Sequence, residues 1–442
     1  MPLVIQQQPK LAVRVRGNAP AAINPRPPSV KNRTVDNSTG TLAKVLESKF
    51  VIPVVLRSIK AECLRFGGGV GATISRSTKT QGVENPENTT TPSPILQNSS
   101  ITAARWNDSA GNKEYRVYVQ ETEGAIMEAA WASNRPMWNS SRITNEGDDI
   151  MLGTRLTSSV GYPHANSTLP LLTNVYFLGR EGTVYERQSK QNGVWGDDHV
   201  NGLYTASSDS STFSFWYESF DPREQILAVM FQEKTDNSLS IARYTSDETS
   251  ENHWALTNTD LQIQVGSALA AAPIGSATDL RLYVSDTSGM MKVYRYNLTN
   301  DSISDPISTN FDFPPHTALS ISTQDNRNYF TTTTLPECAT RDNQQFTHLI
   351  LFPTIDRSSL NFISWNCSSG FLNQTTRIEP ILQSNRTYLG LANTLTSFDP
   401  EDQRVYVLFD AGDGPEIEEW EVPSGAQNAN WKVRGTIPVA FT

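Results

Sequence analysis

Reactive side chains are scarce in this chain of 442 residues. It has three cysteines, Cys63, Cys338 and Cys367, and five histidines, His164, His199, His253, His316 and His348. No Cys-x-x-Cys occurs, which removes the usual zinc and thioredoxin-like patterns. No His-Glu-x-x-His, no Gly-x-Ser-x-Gly elbow and no sialidase-type Ser-x-Asp-x-Gly-x-x-Trp box occurs. No cofactor, metal or catalytic set is therefore expected. Cys338 and Cys367 fall within one repeat; they either form a disulfide, leaving Cys63 single, or sit as two buried thiols.

Long apolar runs are missing too. The best is Phe50–Leu56, seven residues interrupted by Pro53, where a membrane span needs about 20. The first 30 residues hold no uninterrupted apolar core before a small-residue cleavage site, so no signal peptide is expected. A second pattern points the other way. Twelve positions fit Asn-x-Ser/Thr, ten of them after residue 80, among them Asn98, Asn107, Asn139, Asn297 and Asn300. Such a density suits a secretory route.

Negative charge dominates the body but not the start. Residues 1–80 carry 13 Lys/Arg against 3 Asp/Glu; the remainder carries 23 against 43. An acidic body cannot neutralise phosphates, so nucleic acid is not an expected partner. The basic stretch has its charges scattered, without interleaved aromatics. With Pro20, Pro25, Pro27 and Pro28 and little apolar periodicity, residues 1–66 read as mostly disordered. Residues 67–100 open on Gly67-Gly-Gly-Val-Gly71 and pass through Thr-Thr-Thr-Pro-Ser-Pro94, the composition of a linker or stalk.

What is abundant, from Ile101 to the end, is short runs of β-branched and aromatic residues broken by Asn, Asp, Gly and Ser, with no stretch that keeps a helical period. The runs come in pairs, and the pairs repeat. Arg116-Val-Tyr-Val-Gln120 with Ile126–Trp131 is the first. Asn174–Leu178 with Val184–Glu186, Ala228–Gln232 with Leu239–Tyr244, and Arg281–Ser285 with Met291–Tyr296 follow. Leu349–Phe352 with Leu360–Trp365 and Arg404–Leu408 with Ile417–Trp420 complete six. A short apolar strand precedes each hairpin, and a lone tryptophan follows several, as at Trp138 and Trp195. A single hairpin is marginal in water. Six units of three or four strands bury their faces when stacked in a ring, so residues 101–442 are expected to form an all-β, six-bladed β-propeller. Two sandwiches of three repeats each are the rival layout.

These repeats resemble the fungal fucose-specific lectins of the Aleuria aurantia type, whose blades carry a motif close to Ile-Arg-Val-Tyr-Tyr-Gln, a turn, Ile-Arg-Glu-x-x-Trp and Trp-x-x-Gly. Tyr115-Arg-Val-Tyr-Val-Gln120 through Ile126-Met-Glu-Ala-Ala-Trp131 follows it closely. The resemblance implies non-catalytic binding of L-fucose-containing glycans between neighbouring blades. Arg and Glu of one blade would hold the sugar hydroxyls, and aromatics of the next would cover its apolar face. Carried over, Arg404 and Glu419 face Trp131 and Trp138 across the ring closure, in the most complete set. Arg116 and Glu128 face Trp195, with Ser189 where a second aromatic would stand. Glu416 lies twelve residues after Arg404, but the Ile-Glu-Glu-Trp phase favours Glu419. Glu186 is kept with Asn174 in place of Arg and faces Tyr244 and Trp254; Arg281 is kept with Val293 in place of Glu, ahead of Trp365. Ala228 with Ile241 and Leu349 with Phe362 have lost both members. Partners implied are fucosylated glycans or glycoproteins, and several sites per ring, or a homodimer, would add avidity. In some relatives a basic tail, a membrane helix, a Gly-rich junction and a stalk precede the propeller, which implies an extracellular or membrane-anchored lectin; here Lys60-Ala-Glu-Cys-Leu-Arg65 stands where that helix would be.

Blander readings stand beside these. The Arg/Glu pairs can be surface ion pairs of about 0–1 kcal/mol. Trp131, Trp365 and above all Trp420, which is out of phase, can be core residues. The ring can be a degenerate protein-interaction scaffold. Asp148/Asp149 and Asp197/Asp198 are the acidic pairs a glycan-cleaving enzyme would need.

Overall fold

The computed structural model describes residues 94–442 except 146, 162–170, 191–192, 198–199, 218–225, 245–252, 275, 298–299, 325–346, 367–369, 372–374, 379–385, 395–402, 423–430 and 440–442. Cys63, Cys338 and Cys367, and with them the disulfide expectation, lie outside the described residues, as do His164, His199 and Asp198.

Six antiparallel sheets follow one another along the chain, and no helix occurs among the described residues. Blade 1 is β1 (Ile101–Asn107), β2 (Lys113–Gln120), β3 (Ile126–Ala132) and β4 (Arg135–Arg142). Blade 2 is β5 (Thr157–Gly161), β6 (Leu172–Leu178), β7 (Val184–Lys190) and β8 (Trp195–Asp197). Blade 3 is β9 (Phe213–Tyr217), β10 (Ile226–Gln232), β11 (Ser238–Tyr244) and β12 (Trp254–Gln262). Blade 4 holds β13 (Leu269–Ile274), β14 (Ser276–Ser285) and β15 (Met290–Asn297), whose outer side pairs with both β16 (Ser302–Ile303) and β17 (Ile307–Asp312). Blade 5 holds β18 (Ser320–Gln324), β19 (Thr347–Pro353) and β20 (Leu360–Asn366), with β21 (Gly370–Phe371) and β22 (Thr376–Arg377) outside. Blade 6 is β23 (Thr387–Asn393), β24 (Arg404–Asp410), β25 (Pro415–Glu421) and β26 (Lys432–Ile437). The chain is an all-β, six-bladed β-propeller.

Alternation along each strand builds the ring. On β2, Tyr115, Val117 and Val119 enter an apolar cluster with Tyr406, Leu408 and Ile417 of blade 6. Tyr118, between them, enters the cluster with Val160, Val175 and Phe177 of blade 2. The remaining interfaces, 2/3, 3/4, 4/5 and 5/6, hold one cluster each. Successive strand residues point to opposite faces, so every blade is sandwiched by its neighbours. Each such valine or leucine contributes about 1.5–3 kcal/mol relative to exposure.

Every blade is made of consecutive strands, so side-chain packing, not a shared strand, closes blade 6 onto blade 1. Gln97 Nε2 donates to Asp410 Oδ2 at 2.6 Å and Ser140 Oγ to the Pro438 carbonyl at 3.3 Å across the seam. The packed chain begins before Ile101. Ile95, buried in the seam cluster, bridges Glu121, and Leu96 N donates to the Gln120 carbonyl. The first strands line the centre, where Thr102–Ser158 and Thr157–Ser214 hydroxyl pairs at 3.0 Å tie β1 to β5 and β5 to β9.

The hairpin turn between the second and third strands recurs with a left-handed residue: Gly124, Gly182 and Gly289 in blades 1, 2 and 4. At Gly182 (φ +83°) a Cβ would lie 2.2 Å from the Ala206 carbonyl oxygen, so glycine is required both by conformation and by backbone approach.

Candidate functional site

Cross-strand register brings the selected residues together. On β2 and β3, Tyr118 stands opposite Glu128 and Arg116 opposite Ala130, so all four side chains point to the face toward blade 2. Tyr118 donates its hydroxyl to Glu128 Oε2 at 3.2 Å, and Arg116 Nε lies 3.5 Å from the same oxygen. The Tyr118 ring meets Trp195 of blade 2 edge-on, 5.9 Å between centroids. Arg116 also pairs with Glu114 at 2.9 Å, donates to the carbonyls of Tyr115 and Trp131, and lies 4.8 Å over the Trp106 ring of its own blade.

The arrangement recurs on β24 and β25. Tyr406 stands opposite Glu419 and Arg404 opposite Glu421. Tyr406 donates to Glu419 Oε1 at 3.4 Å, Arg404 Nε lies 3.4 Å from that oxygen, and Trp138 of blade 1 meets the Tyr406 ring edge-on at 6.1 Å. Blade 1 adds Tyr115, whose ring lies 5.7 Å from the Arg404 guanidinium, with Trp131 packed edge-on against it. Glu419, not Glu416, occupies the position equivalent to Glu128; Glu416 stands opposite Phe409 near the hairpin turn. Trp131, Trp138 and Trp195 are all half-buried, so each keeps an accessible face.

The two sites differ in how the guanidinium is used. Arg116 spends its donors on Glu114 and two carbonyls. Arg404, 5 % exposed, has Nε and Nη1 buried with no hydrogen-bond partner among the described residues, although Glu419 and Glu421 flank it. Leaving a buried donor unmade costs about 1–3 kcal/mol, more when charged. Burial pushes the Glu128 carboxyl above the usual range, opposed by Arg116 and by the Tyr118 hydrogen bond. Burial likewise raises Glu419, opposed by Arg404 and Arg434. Burial, reinforced by the adjacent carboxylate, keeps the Tyr118 and Tyr406 phenols protonated and able to donate.

The other interfaces depart from this set by steps. Between blades 2 and 3, Tyr176 donates to Glu186 Oε1 at 2.6 Å, Asn174 Nδ2 donates to the Tyr176 hydroxyl, and Trp254 lies edge-on at 6.4 Å. Here Trp254 is buried, and Tyr244 packs edge-on against it. Between blades 4 and 5, Arg281 lies 3.4 Å over the Trp365 ring, Tyr283 bonds His348, and buried Val293 stands opposite Tyr283. Between 3 and 4 the positions are Ala228, Met230 and Ile241, all within an apolar cluster. Between 5 and 6 they are Leu349, Leu351 and Phe362, packed with Trp420.

The spacing of Arg and Glu along the repeats does not single out the tyrosine of Val-Tyr-Val. Its hydroxyl is what holds the glutamate. The signal was present: blades 1, 2, 4 and 6, which keep Arg or Glu, have Tyr118, Tyr176, Tyr283 and Tyr406, while the two blades that lost both have Met230 and Leu351. Of the acidic pairs a glycan-cleaving enzyme would need, Asp148, Asp149 and Asp197 are described, and all three pair with arginines. Asp148 and Asp197 both bind Arg187, and Asp149 lies 3.7 Å from Arg180, around a cleft of about 560 Å³ lined also by Phe177 and Tyr185.

Blades of four or five antiparallel strands closed into a six-membered ring define the class. Within it, the chain is similar to the lectin of Aleuria aurantia, described as a six-bladed propeller with a novel fucose recognition mode: TM-score 0.58 and 14 % identity over 79 % of this chain and 99 % of that one. A structure of the same lectin in complex with Fucα1-6GlcNAc gives 0.57 and 16 % over the same shares. The AofleA protein of Arthrobotrys oligospora gives 0.54 and 13 % over 77 % and 87 %. No protein-family model matches the chain, and no curated protein does. At such identity the likeness establishes the fold.

Proposed function

We propose that this propeller binds carbohydrate, specifically L-fucose-containing glycans, without catalysis, at the interfaces 6/1 and 1/2. The observation that carries the reading is the Arg404 set: a guanidinium 3.4 Å from Glu419, a carboxylate held by Tyr406, facing the half-buried indole of Trp138. A sugar offers hydroxyls that both accept and donate, so it can take the arginine's donors and give a proton to Glu419. Its C–H face, with the C6 methyl of fucose, suits the indole of Trp138. The solved propellers similar in fold are fucose-binding lectins, which supports the same ligand class. Interface 2/3, with Asn174 for arginine and a buried tryptophan, is a weakened version.

A glycan array with the purified ring tests this. Binding confined to fucosylated glycans, and lost in an Arg404→Ala, Arg116→Ala double variant, is the expected result. No signal on any fucosylated glycan would sink it. It would favour the second reading, a protein-interaction scaffold, which has support in the apolar filling of interfaces 3/4 and 5/6. Release of product from a labelled fucosyl oligosaccharide would overturn the non-catalytic assignment.

A further inference from the structure

The two complete sites have different outer rims. On blade 1 the row that begins at Arg116 runs through Ala130 to Asn139 on β4, and the row from Tyr118 runs through Glu128 to Ser141. Residues opposite one another in antiparallel strands project from the same face. Asn139 and Ser141 are therefore on the face of site 1/2. The intervening residues confirm the alternation: Ser140 reaches the Pro438 carbonyl of blade 6, and Trp138 meets Tyr406 there. With strands about 4.8 Å apart, Asn139 lies roughly 10 Å outward from Arg116. It is exposed, on an outermost strand.

Asn139-Ser140-Ser141 is also an N-glycosylation acceptor pattern. Asn98, Asn107 and Asn300 are exposed as well, but none stands in a row that crosses an Arg/Glu pair. At site 6/1 the equivalent rim positions are Lys432, opposite Glu421, and Gly435, opposite Glu419. No acceptor pattern stands there.

We propose that Asn139 is an N-glycan acceptor and that its glycan screens site 1/2 while leaving site 6/1 open. The inference rests on the carbohydrate reading above for the screening, though not for the modification. In the transfer, the Asn139 amide nitrogen forms the bond to C1 of a lipid-linked oligosaccharide, the bond from C1 to the pyrophosphate oxygen breaks, lipid pyrophosphate leaves, and the amide gives up one proton. The attached glycan starts at the rim of the groove and is longer than the distance back to Arg116. It competes with incoming ligand for the space between Trp195 and Arg116. One protein thus presents one site when glycosylated and two when not.

The test uses the full chain, secreted from a eukaryotic host behind an added signal peptide. Peptide mass spectrometry after N-glycanase in heavy-oxygen water reads occupancy at Asn139, and calorimetry with α-methyl fucoside reads site number. The expected result is an occupied Asn139 and about one site per chain. That number rises to about two in Asn139→Gln and in Ser141→Ala, and returns to about one when Arg116→Ala is added to either. Two variants that remove the glycan in different ways separate its effect from that of the side chain. An unmodified Asn139 overturns the proposal. So does an occupied Asn139 whose removal leaves site number unchanged. If no form binds any fucoside, the carbohydrate reading and the screening fall together, while the occupancy measurement still decides the modification.

Discussion

Tyr406 donates its hydroxyl to Glu419 across the central strand pair of blade 6, in the same register in which Tyr118 donates to Glu128 in blade 1. A half-buried carboxylate held by a buried phenol is fixed in direction before any ligand arrives. Tyr406→Phe and Tyr118→Phe keep ring packing and remove only that donor. A hydrogen bond to a charged group contributes about 1.5–3 kcal/mol, so affinity at the affected site should fall by roughly ten- to hundredfold with little loss of fold. Calorimetry beside a thermal melt checks both. Unchanged affinity in both variants would show that the phenols only pack.

The arginines should rank by what they touch. Truncating one member of a buried charged pair costs about 2–5 kcal/mol, so Arg404→Ala should abolish measurable binding at site 6/1 and Arg116→Ala at site 1/2. Arg281→Ala should leave binding intact, because Arg281 lies flat on the buried Trp365 and the glutamate position is Val293. A larger loss in Arg281→Ala than in Arg404→Ala would misplace the site.

Acidification should silence binding before it unfolds the ring. Burial raises the Glu128 and Glu419 carboxyls above their ordinary range. On lowering pH they take up protons earlier than an exposed glutamate, and each ceases to be a charged acceptor. For stability the sign is opposite. A raised folded pKa means the native state holds the proton more tightly than the unfolded chain, so these two groups favour folding below the ordinary glutamate pKa and lose that contribution as pH rises through their folded values. Binding titrated against pH should therefore fall with a midpoint above 4.5, the ordinary glutamate value, in a range where far-ultraviolet dichroism is unchanged. Glu128→Gln should melt no lower than the parent at neutral pH while losing site 1/2. A melt several degrees lower would show that the charge, not the function, is what the fold needs there.

Much of this was legible in the chain because both the blade and the site repeat. A period-two pattern recurring six times identifies the ring, and the spacing of Arg and Glu on adjacent strands identifies which faces are polar. Glu419 could be preferred to Glu416 from phase alone, since the hairpin turn of blade 6 is longer. Other features are not encoded in spacing. The tyrosine hydroxyl bonds appear only when strands are in register. The capture of Arg281 by Trp365 and of Tyr283 by His348 depends on what the next blade places opposite, much further along the chain. Residues 67–100 read as linker from their Gly, Ser, Thr and Pro content, yet Ile95 is buried in the seam cluster and bridges Glu121.

Tryptophan has two roles in this ring, and one pair of variants separates them. Trp420 is fully buried where blade 5 meets blade 6, packs edge-on against Trp431 and donates its indole N–H to Glu418, which in turn holds Arg386 at 2.8 Å. It stands two residues deeper along its strand than Trp131 does, so it fills the space that a ligand would need. Trp420→Ala leaves a cavity and should cost about 3–5 kcal/mol, a drop in melting temperature of roughly 5–15 °C. Fucoside binding by the surviving folded protein should be unchanged. Trp138 is half-buried and meets its neighbour only along one edge. Trp138→Ala should cost the fold far less and should remove site 6/1. Equal melting losses in the two variants, or retained 6/1 binding in Trp138→Ala, would mean that the wall of the proposed site is only part of the core.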